Sequence, residues 1–569
     1  MTTATSPNPT LDADLELLSA HAAEWASLPI AGKRALLASL HEATAGVAEE
    51  WALLACRAKG LPPDSPLAGE EWMSGPMAQL VYTTALGRTL DALAAGRSPV
   101  TGRIGRAPGG RASLRVRMPF EGFDRLLLSG YRAELWIEPG VTPEAVGRDA
   151  GLRTRRPDGG GVALVLGAGN IAAIAPLDVL YKLYADGRVV LLKLNPVNDY
   201  LLPVLQKAFA GFIEAGYVRI VAGGADTGGY LTEHPLVDEV HLTGSGATHD
   251  AIVFGTGAEA ERRRVAGTPI LTKSMTSELG GVAPVIVLPG RWSDADLRFQ
   301  AEHVATQRLH NSGFNCNASQ VVVLAEEWPQ KNEFIAALRD AVRDAPARPA
   351  YYPGADERHD RARSMHPGAE ALDSNARRTL IGVDSQIRDD AFTTEYFAPV
   401  LSFTELPGPG PAEFLQRAVE FANDRLYGTL TANLIGDPAT LRSLGGRLDE
   451  LIADLRYGTV GVNCWSGVGF LTPRASWGAF PGHTVGDIES GTGVVHNALL
   501  VDRIERTVLR GPFRPSPRAL LHGELTLSPK PPWFVTNRTS GVTARRLTAF
   551  AAKPRLRLLP GILISALRG

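Results

Sequence analysis

Residues 162–166 (VALVL) form an unbroken apolar run that stops at Gly167-Ala168-Gly169, and this pattern constrains the fold more than any other. So short a run bounded by glycine reads as a strand buried on both faces. A helical stretch near 177–186 follows, then VVLLKLN (189–195), the helix PVLQKAFAGFIEAG, and the strands VRIVAG (218–223) and VDEVHLTG (237–244). VAPVIVL (282–288) closes the block. Strand and helix in alternation predict a parallel sheet covered by helices on both faces. Residues 292–345 repeat the theme with a helix, a turn around Cys316, the strand QVVVLA and the helix KNEFIAALRDAV. The expected class is therefore α/β, with two doubly wound parallel-sheet units in series.

The flanking regions are read with less structure. The first ten residues are polar and expected to be loose. Leu11, Leu15, Leu18, Ala22 and Trp25 then recur at steps of four and three, which places them on one helix face. Residues 33–56 and 76–95 also read as helix, 97–112 as a Gly-, Pro- and Arg-rich linker, and 113–138 as strands. The last stretch, 525–569, carries eight basic residues and no acidic one. Such a tail packs on its own protein, stays solvated, or meets an anionic surface.

Composition removes several classes. Hydrophobic residues make up 44% and charged residues 21% of the 569, the ordinary range for a globular chain of more than one domain. With 58 basic and 60 acidic residues the net charge is -2, so no global field draws nucleic acid. Three cysteines, without clustered histidines, make neither a disulfide scaffold nor a zinc site. The N-terminus has no basic start before an apolar stretch, and no apolar run is long enough to span a bilayer. The expected location is a reducing cytoplasm.

A few residues have surroundings suited to chemistry. Cys316, in NSGFNCNASQ, sits in a polar, glycine-containing turn, where backbone N–H groups can lower a thiol pKa. Cys56 and Cys464 read as packing residues, and Cys316 taken alone allows that reading too. Glu278, at the end of a loop before two glycines, is a surface charge or a general base. Asn170 either donates to a developing oxyanion or caps the next helix. Gly244 and Ser245 open a glycine-rich turn directly after a strand, where free N–H groups can meet a phosphate. His249 stands where the dinucleotide form of that turn has glycine. Lys193 ends its strand where a ligand crevice opens, or is a solvated edge lysine.

Taken in order, these motifs resemble the NAD(P)-dependent aldehyde dehydrogenase superfamily, over about residues 20–510. Asn170 falls at the family's oxyanion asparagine, and LLKLNP with Lys193 resembles its adenosine-ribose stretch. LTGS with Gly244 and Ser245 matches the turn under the cofactor phosphates. Ser277-Glu278-Leu279-Gly280-Gly281 matches the general-base motif, and Cys316 the nucleophile. Glu395-Tyr396-Phe397-Ala398-Pro399 resembles the motif whose glutamate holds the nicotinamide ribose and whose phenylalanine lies by the ring. Pro196 stands where NAD-preferring members often carry a glutamate, so NADP stays open beside NAD.

The resemblance implies oxidation of an aldehyde to a carboxylic acid through a cysteine thiohemiacetal and thioester, with Glu278 activating the hydrolytic water. The alternatives are an acyl-CoA-linked reductase or acylating dehydrogenase, or a weakly active relative tethered by its basic tail. It also implies a small-molecule aldehyde partner, no metal, and a homodimer or homotetramer. Residues 11–112 and 139–290 are then the NAD(P)-binding domain and 291–485 the catalytic domain. Residues 113–138 and 486–515 make a small bridging or oligomerisation sheet, and 516–569 a basic C-terminal extension whose tail, 525–569, is the candidate for peripheral membrane contact.

Overall fold

A computed structural model describes residues 8–155, 159–375 and 377–569. Of the ten starting residues expected to be loose, 1–7 lie outside the described residues. Pro9 and Thr10 already belong to the first helix, Pro9–Ser27, whose N-terminus is capped by the Asn8 side chain. Its stripe buries Leu15, Leu18 and Trp25 completely, and the Trp25 indole donates to the Leu183 carbonyl at 3.0 Å. The periodicity thus gives both the helix and the face that docks on the first sheet. Helices Ile30–Ala58 and Ala78–Ala94 cover the predicted 33–56 and 76–95.

Two sheets carry the described residues. The six-stranded sheet runs Gly491–Thr492, Ser274–Leu279, Glu239–Gly244, Val162–Leu166, Val189–Lys193, Val218–Val221, parallel throughout except at the short first strand. Chain order reverses between Val162–Leu166 and Glu239–Gly244. Their carboxyl ends therefore flank a crevice, the usual place for a ligand in an open α/β sheet. VALVL is buried at every position, as its composition requires.

The second sheet has eleven strands. Its parallel part runs Ile504–Arg510, Thr459–Val462, Thr431–Ile435, Ala283–Val287, Ser319–Ala325, Val400–Leu406, Thr379–Gly382. Ala283–Val287, expected at the end of the first α/β block, pairs here instead. The switch between sheets falls between Leu279 and Ala283, not at residue 290. An all-apolar strand looks the same in either sheet, so the sequence does not mark its membership.

The expected bridging segments do pair with one another, Arg132–Ile137 antiparallel to Ile504–Arg510. They also continue into the eleven-stranded sheet, because Ile504–Arg510 pairs in parallel with Thr459–Val462. The expected linker 97–112 contains the strand Ile104–Ala107, which turns back on Arg111–Val116. Glycines at 109 and 110 have positive φ and form that reversal. The basic extension folds onto the body through the helices Arg518–Leu521, Ser540–Ala552 and Leu559–Ala566. Arg545 pairs with Glu49 at 2.5 Å and Lys530 with Glu302 at 3.0 Å. Among the described residues no helix is long and apolar enough to cross a membrane.

Candidate active site

Cys316 lies between the helix Asp294–Leu309 and the strand Ser319–Ala325. The intervening turn is unusual: Asn311, Ser312 and Gly313 all have positive φ, at 52°, 58° and 82°. Such a run is costly for non-glycine residues and persists only where the surroundings hold it. Here they do. The Asn311 N–H donates to Glu70 Oε2 at 2.9 Å, and its side-chain amide donates to the carbonyls of Phe314 and Asn170, both at 3.1 Å. Lys59 Nζ donates to Glu71 at 2.9 Å and to Asn311 Oδ1 and the Asn170 carbonyl, both at 3.0 Å. Buried Arg308 donates to the Gly313 carbonyl at 2.7 Å. A buried polar network therefore fixes the Cys316 turn to the Asn170 loop.

Asn170 does not cap the helix Ile174–Tyr184, whose N-cap makes no side-chain bond. Its amide donates to the Phe314 carbonyl at 2.9 Å, two residues before Cys316. Glu278 is on the strand Ser274–Leu279, not in a loop, and is 2% exposed, which removes the surface-charge reading. The Trp477 indole donates to its Oε1 at 3.2 Å, and the carboxylate acts electrostatically on the Cys316 thiol. Burial pushes the Glu278 carboxyl up to about 7. Burial and the Glu278 carboxylate together hold the Cys316 thiol well above its ordinary value. Cys316 is nevertheless partly exposed, whereas Cys56 and Cys464 are buried.

All eight residues singled out in the sequence (Asn170, Lys193, Gly244, Ser245, Glu278, Cys316, Glu395 and Phe397) line one cleft of ≈ 980 Å³. Ser245 caps the helix Gly246–Phe254 by accepting from the Thr248 N–H at 3.2 Å. His249, the departure from the glycine pattern, is fully buried beneath that helix, while Thr248, Ala251 and Ile252 face the cleft. The helix N-terminus thus remains open to an anion. Lys193 is 7% exposed within the cleft rather than on a solvated edge, and desolvation pulls its pKa down. Glu395 has a buried Oε1 without a hydrogen-bond partner. Burial pushes its pKa up to about 8, with Arg308 opposing and Glu278 adding to the rise.

Beyond Cys316 lies a smaller chamber of ≈ 50 Å³ walled by Met73, Trp465, Phe470, Trp477 and Trp533 among others. Asn170, Ile174 and Cys316 belong to the walls of both cavities. Sequence reasoning missed Trp477, Arg308 and Lys59. A tryptophan in RASWGAFP and charges inside amphipathic helices carry no local signal of a distant partner. Among the described residues no cluster of His, Cys, Asp and Glu could hold a metal ion.

Known proteins resemble this chain in sequence and in fold. The model of the aldehyde dehydrogenase family matches residues 144–357. The N-succinylglutamate 5-semialdehyde dehydrogenase of Sphingopyxis alaskensis is 26% identical over 321 residues, 53% of this chain and 61% of that protein. The aminoacetaldehyde dehydrogenase of Pseudomonas aeruginosa is 30% identical over 310 residues, 51% of this chain and 56% of that protein. The matched part thus spans less than two thirds of these curated relatives. Among solved structures, gamma-glutamyl-gamma-aminobutyraldehyde dehydrogenase from Burkholderia cenocepacia shares the fold. It superposes with a TM-score of 0.59 at 21% identity, covering 88% of each chain.

Proposed function

Because the chain belongs to the aldehyde dehydrogenase superfamily, we propose that it oxidises an aldehyde to a carboxylic acid with NAD or NADP, by way of an acyl group carried on Cys316. The observation that carries this reading is the place of Cys316: it stands, with Asn170, where the large cleft meets the apolar chamber. A carbonyl held there has a nucleophile on one side and room for a dinucleotide on the other.

The cleft suits that dinucleotide. The unpartnered Glu395 Oε1 and Lys193 would hold the two riboses, and the turn at Gly244 and Ser245 the phosphates. Phe397 would lie against the nicotinamide. When bound, the cofactor supplies the acceptor for the substrate's two electrons.

The chain's own residues do the rest. Glu278 takes the Cys316 proton as sulfur attacks the carbonyl carbon. The oxyanion of the thiohemiacetal is held by the Cys316 backbone N–H and the Asn170 amide, and loss of one such donor costs about 3–4 kcal/mol of barrier. Oxidation leaves a thioester on sulfur. Glu278 releases that proton to solvent and then takes one from the water whose oxygen attacks the thioester; the C–S bond breaks, the carboxylic acid leaves, and Glu278 returns the proton to the Cys316 thiolate. A base with a pKa of about 7 suits both transfers near neutral pH.

In this reading residues 11–112 with the six-stranded sheet bind the dinucleotide and the eleven-stranded sheet carries the nucleophile. Two copies pair through the sheet edge at Ile104–Ala107, as a dimer or a dimer of dimers, which light scattering measures. The reducing cytoplasm suits a free thiol nucleophile. The test is formation of reduced dinucleotide from purified protein, an aldehyde and NAD or NADP without coenzyme A. Turnover that begins only when coenzyme A is added would replace hydrolysis by acyl transfer to a thiol.

A further inference from the structure

Trp533 joins two cavities. It lines the chamber beside Cys316 and also a second cavity of ≈ 60 Å³, and Met73 and Leu471 are the other shared residues. One wall of the outer cavity is the C-terminal extension itself, through Leu547, Ile562 and Leu563. The chamber beside Cys316 therefore adjoins, at Trp533, a cavity walled by the extension.

The extension is seated firmly. Phe534 stacks on Phe299 with centroids 5.2 Å apart, and Tyr131 meets Trp533 edge-on at 6.0 Å. Helix Ser540–Ala552 crosses Ala68–Trp72 so closely that a Cβ on Gly69 would lie 2.7 Å from the Ser540 carbonyl carbon. Leu547, Phe550 and Ile562 share one apolar cluster with Met73, Met77 and Trp465.

The lining offers no free counter-charge to a charged tail. Besides Cys316, the inner chamber's one ionisable side chain among the described residues is His310. It is buried, and burial holds its pKa down. In the outer cavity the Lys530 ammonium is engaged by Glu302 at 3.0 Å and the Thr536 carbonyl at 3.3 Å. Ser74, Asn315, Asn317 and Thr543 supply only neutral groups, so a carboxylate or ammonium entering would lose its water with no counter-charge in exchange. Each methylene entering gains from leaving water.

We propose that the C-terminal extension closes the outer end of an acyl channel, with Trp533 as its inner gatepost, and so fits the protein to neutral aldehydes with a slender apolar body. The inference rests on the aldehyde reading of Cys316. Its consequence is a length limit set by a segment outside both sheets. The substrate must come from a reaction that releases uncharged aldehydes, such as oxidation of an apolar primary alcohol.

The full-length protein is assayed with n-alkanals from butanal to dodecanal and with succinic semialdehyde. The expected kcat/KM for octanal exceeds that for succinic semialdehyde by about a hundredfold. Trp533→Ala moves the length optimum upward, and Leu563→Trp lowers kcat/KM for decanal by about tenfold more than for butanal. Equal or better use of succinic semialdehyde by the unaltered chain overturns the proposal, and this comparison needs no variant to fold. A length profile unmoved in both variants also overturns it. Calorimetric binding of octanoate separates the two readings, because it requires no turnover. Octanoate binding weakened by Leu563→Trp in a protein that oxidises no aldehyde keeps the channel and removes the oxidation. Turnover of short aldehydes without octanoate binding keeps the oxidation and removes the channel.

Discussion

The two cavities that meet at Cys316 are built by opposite means. The large cleft draws its working groups from strand ends and adjacent turns: Asn170 after Val162–Leu166, Lys193 at the end of its strand, Ser245 at a helix N-cap. The chamber behind the cysteine is walled by Met73, Trp465, Phe470, Trp477 and Trp533, from elements far apart in the chain. The cleft must present N–H groups and charges at fixed positions, which restricts both residue type and spacing. The chamber needs only apolar bulk, which many side chains supply from any direction.

The sharpest way to break the comparison is to remove the atom both cavities share. Cys316→Ala should lower kcat by about ten-thousandfold or more, measured as steady-state dinucleotide reduction. Cys464→Ala and Cys56→Ala, both buried, should leave it within about threefold. A Cys316→Ala protein that keeps turning over would sink the acyl-enzyme.

Next comes the cleft carboxylate that Trp477, a chamber residue, holds. Glu278→Gln should cost about a hundredfold to ten-thousandfold in kcat. The sign of the pH effect follows from the base being the ionised form. With its pKa raised to about 7, wild-type kcat should fall as pH drops through that value. The glutamine variant should lose that limb; an unchanged limb would assign it to another group.

Asn170→Ala should cost about a hundredfold to a thousandfold in kcat/KM with little change in dinucleotide affinity, the mark of a donor used in the transition state. Glu395→Gln acts on the cleft alone, and should raise the dinucleotide KM by about tenfold while aldehyde length preference stays put. The smallest effect concerns the far wall. Gly69→Ala forces a methyl against Ser540, which should cost about 1–3 kcal/mol in thermal unfolding. An unaltered melting curve would mean the extension is not held there.

Legibility in the sequence divides along the same line. VALVL, the glycine turns and the stripe of the first helix fixed the α/β class, because each is a periodic or conformational requirement that few residues meet. The cleft residues were legible only as an ordered set: singly, Cys316, Glu278, Asn170 and Lys193 each allowed a structural reading, and Glu395 and Phe397 came from the family resemblance. Sheet membership of Ala283–Val287 was not legible, since a strand apolar on both faces carries no mark of its neighbours. The strand Ile104–Ala107 hid inside a Gly- and Arg-rich stretch because it is an edge strand with exposed positions. Trp477, Lys59 and Trp533 act through contacts spanning much of the chain, and nothing near them in sequence announces a partner. The basic residues of the tail suggested an outside surface, yet Arg545 and Lys530 meet acids of the same molecule.

The two-residue strand Gly491–Thr492 pairs antiparallel with Ser277 and Glu278 and completes the border of the smaller sheet. During synthesis that border stays bare while more than two hundred further residues emerge, as counted from Glu278. A ribosome-bound or proteolytically shortened chain ending before 491 therefore exposes the backbone of the very strand that bears Glu278, an invitation to intermolecular pairing. Late completion of that seam makes the arrival of the C-terminal part, rather than formation of the first sheet, the moment at which the chain becomes both competent and safe from aggregation.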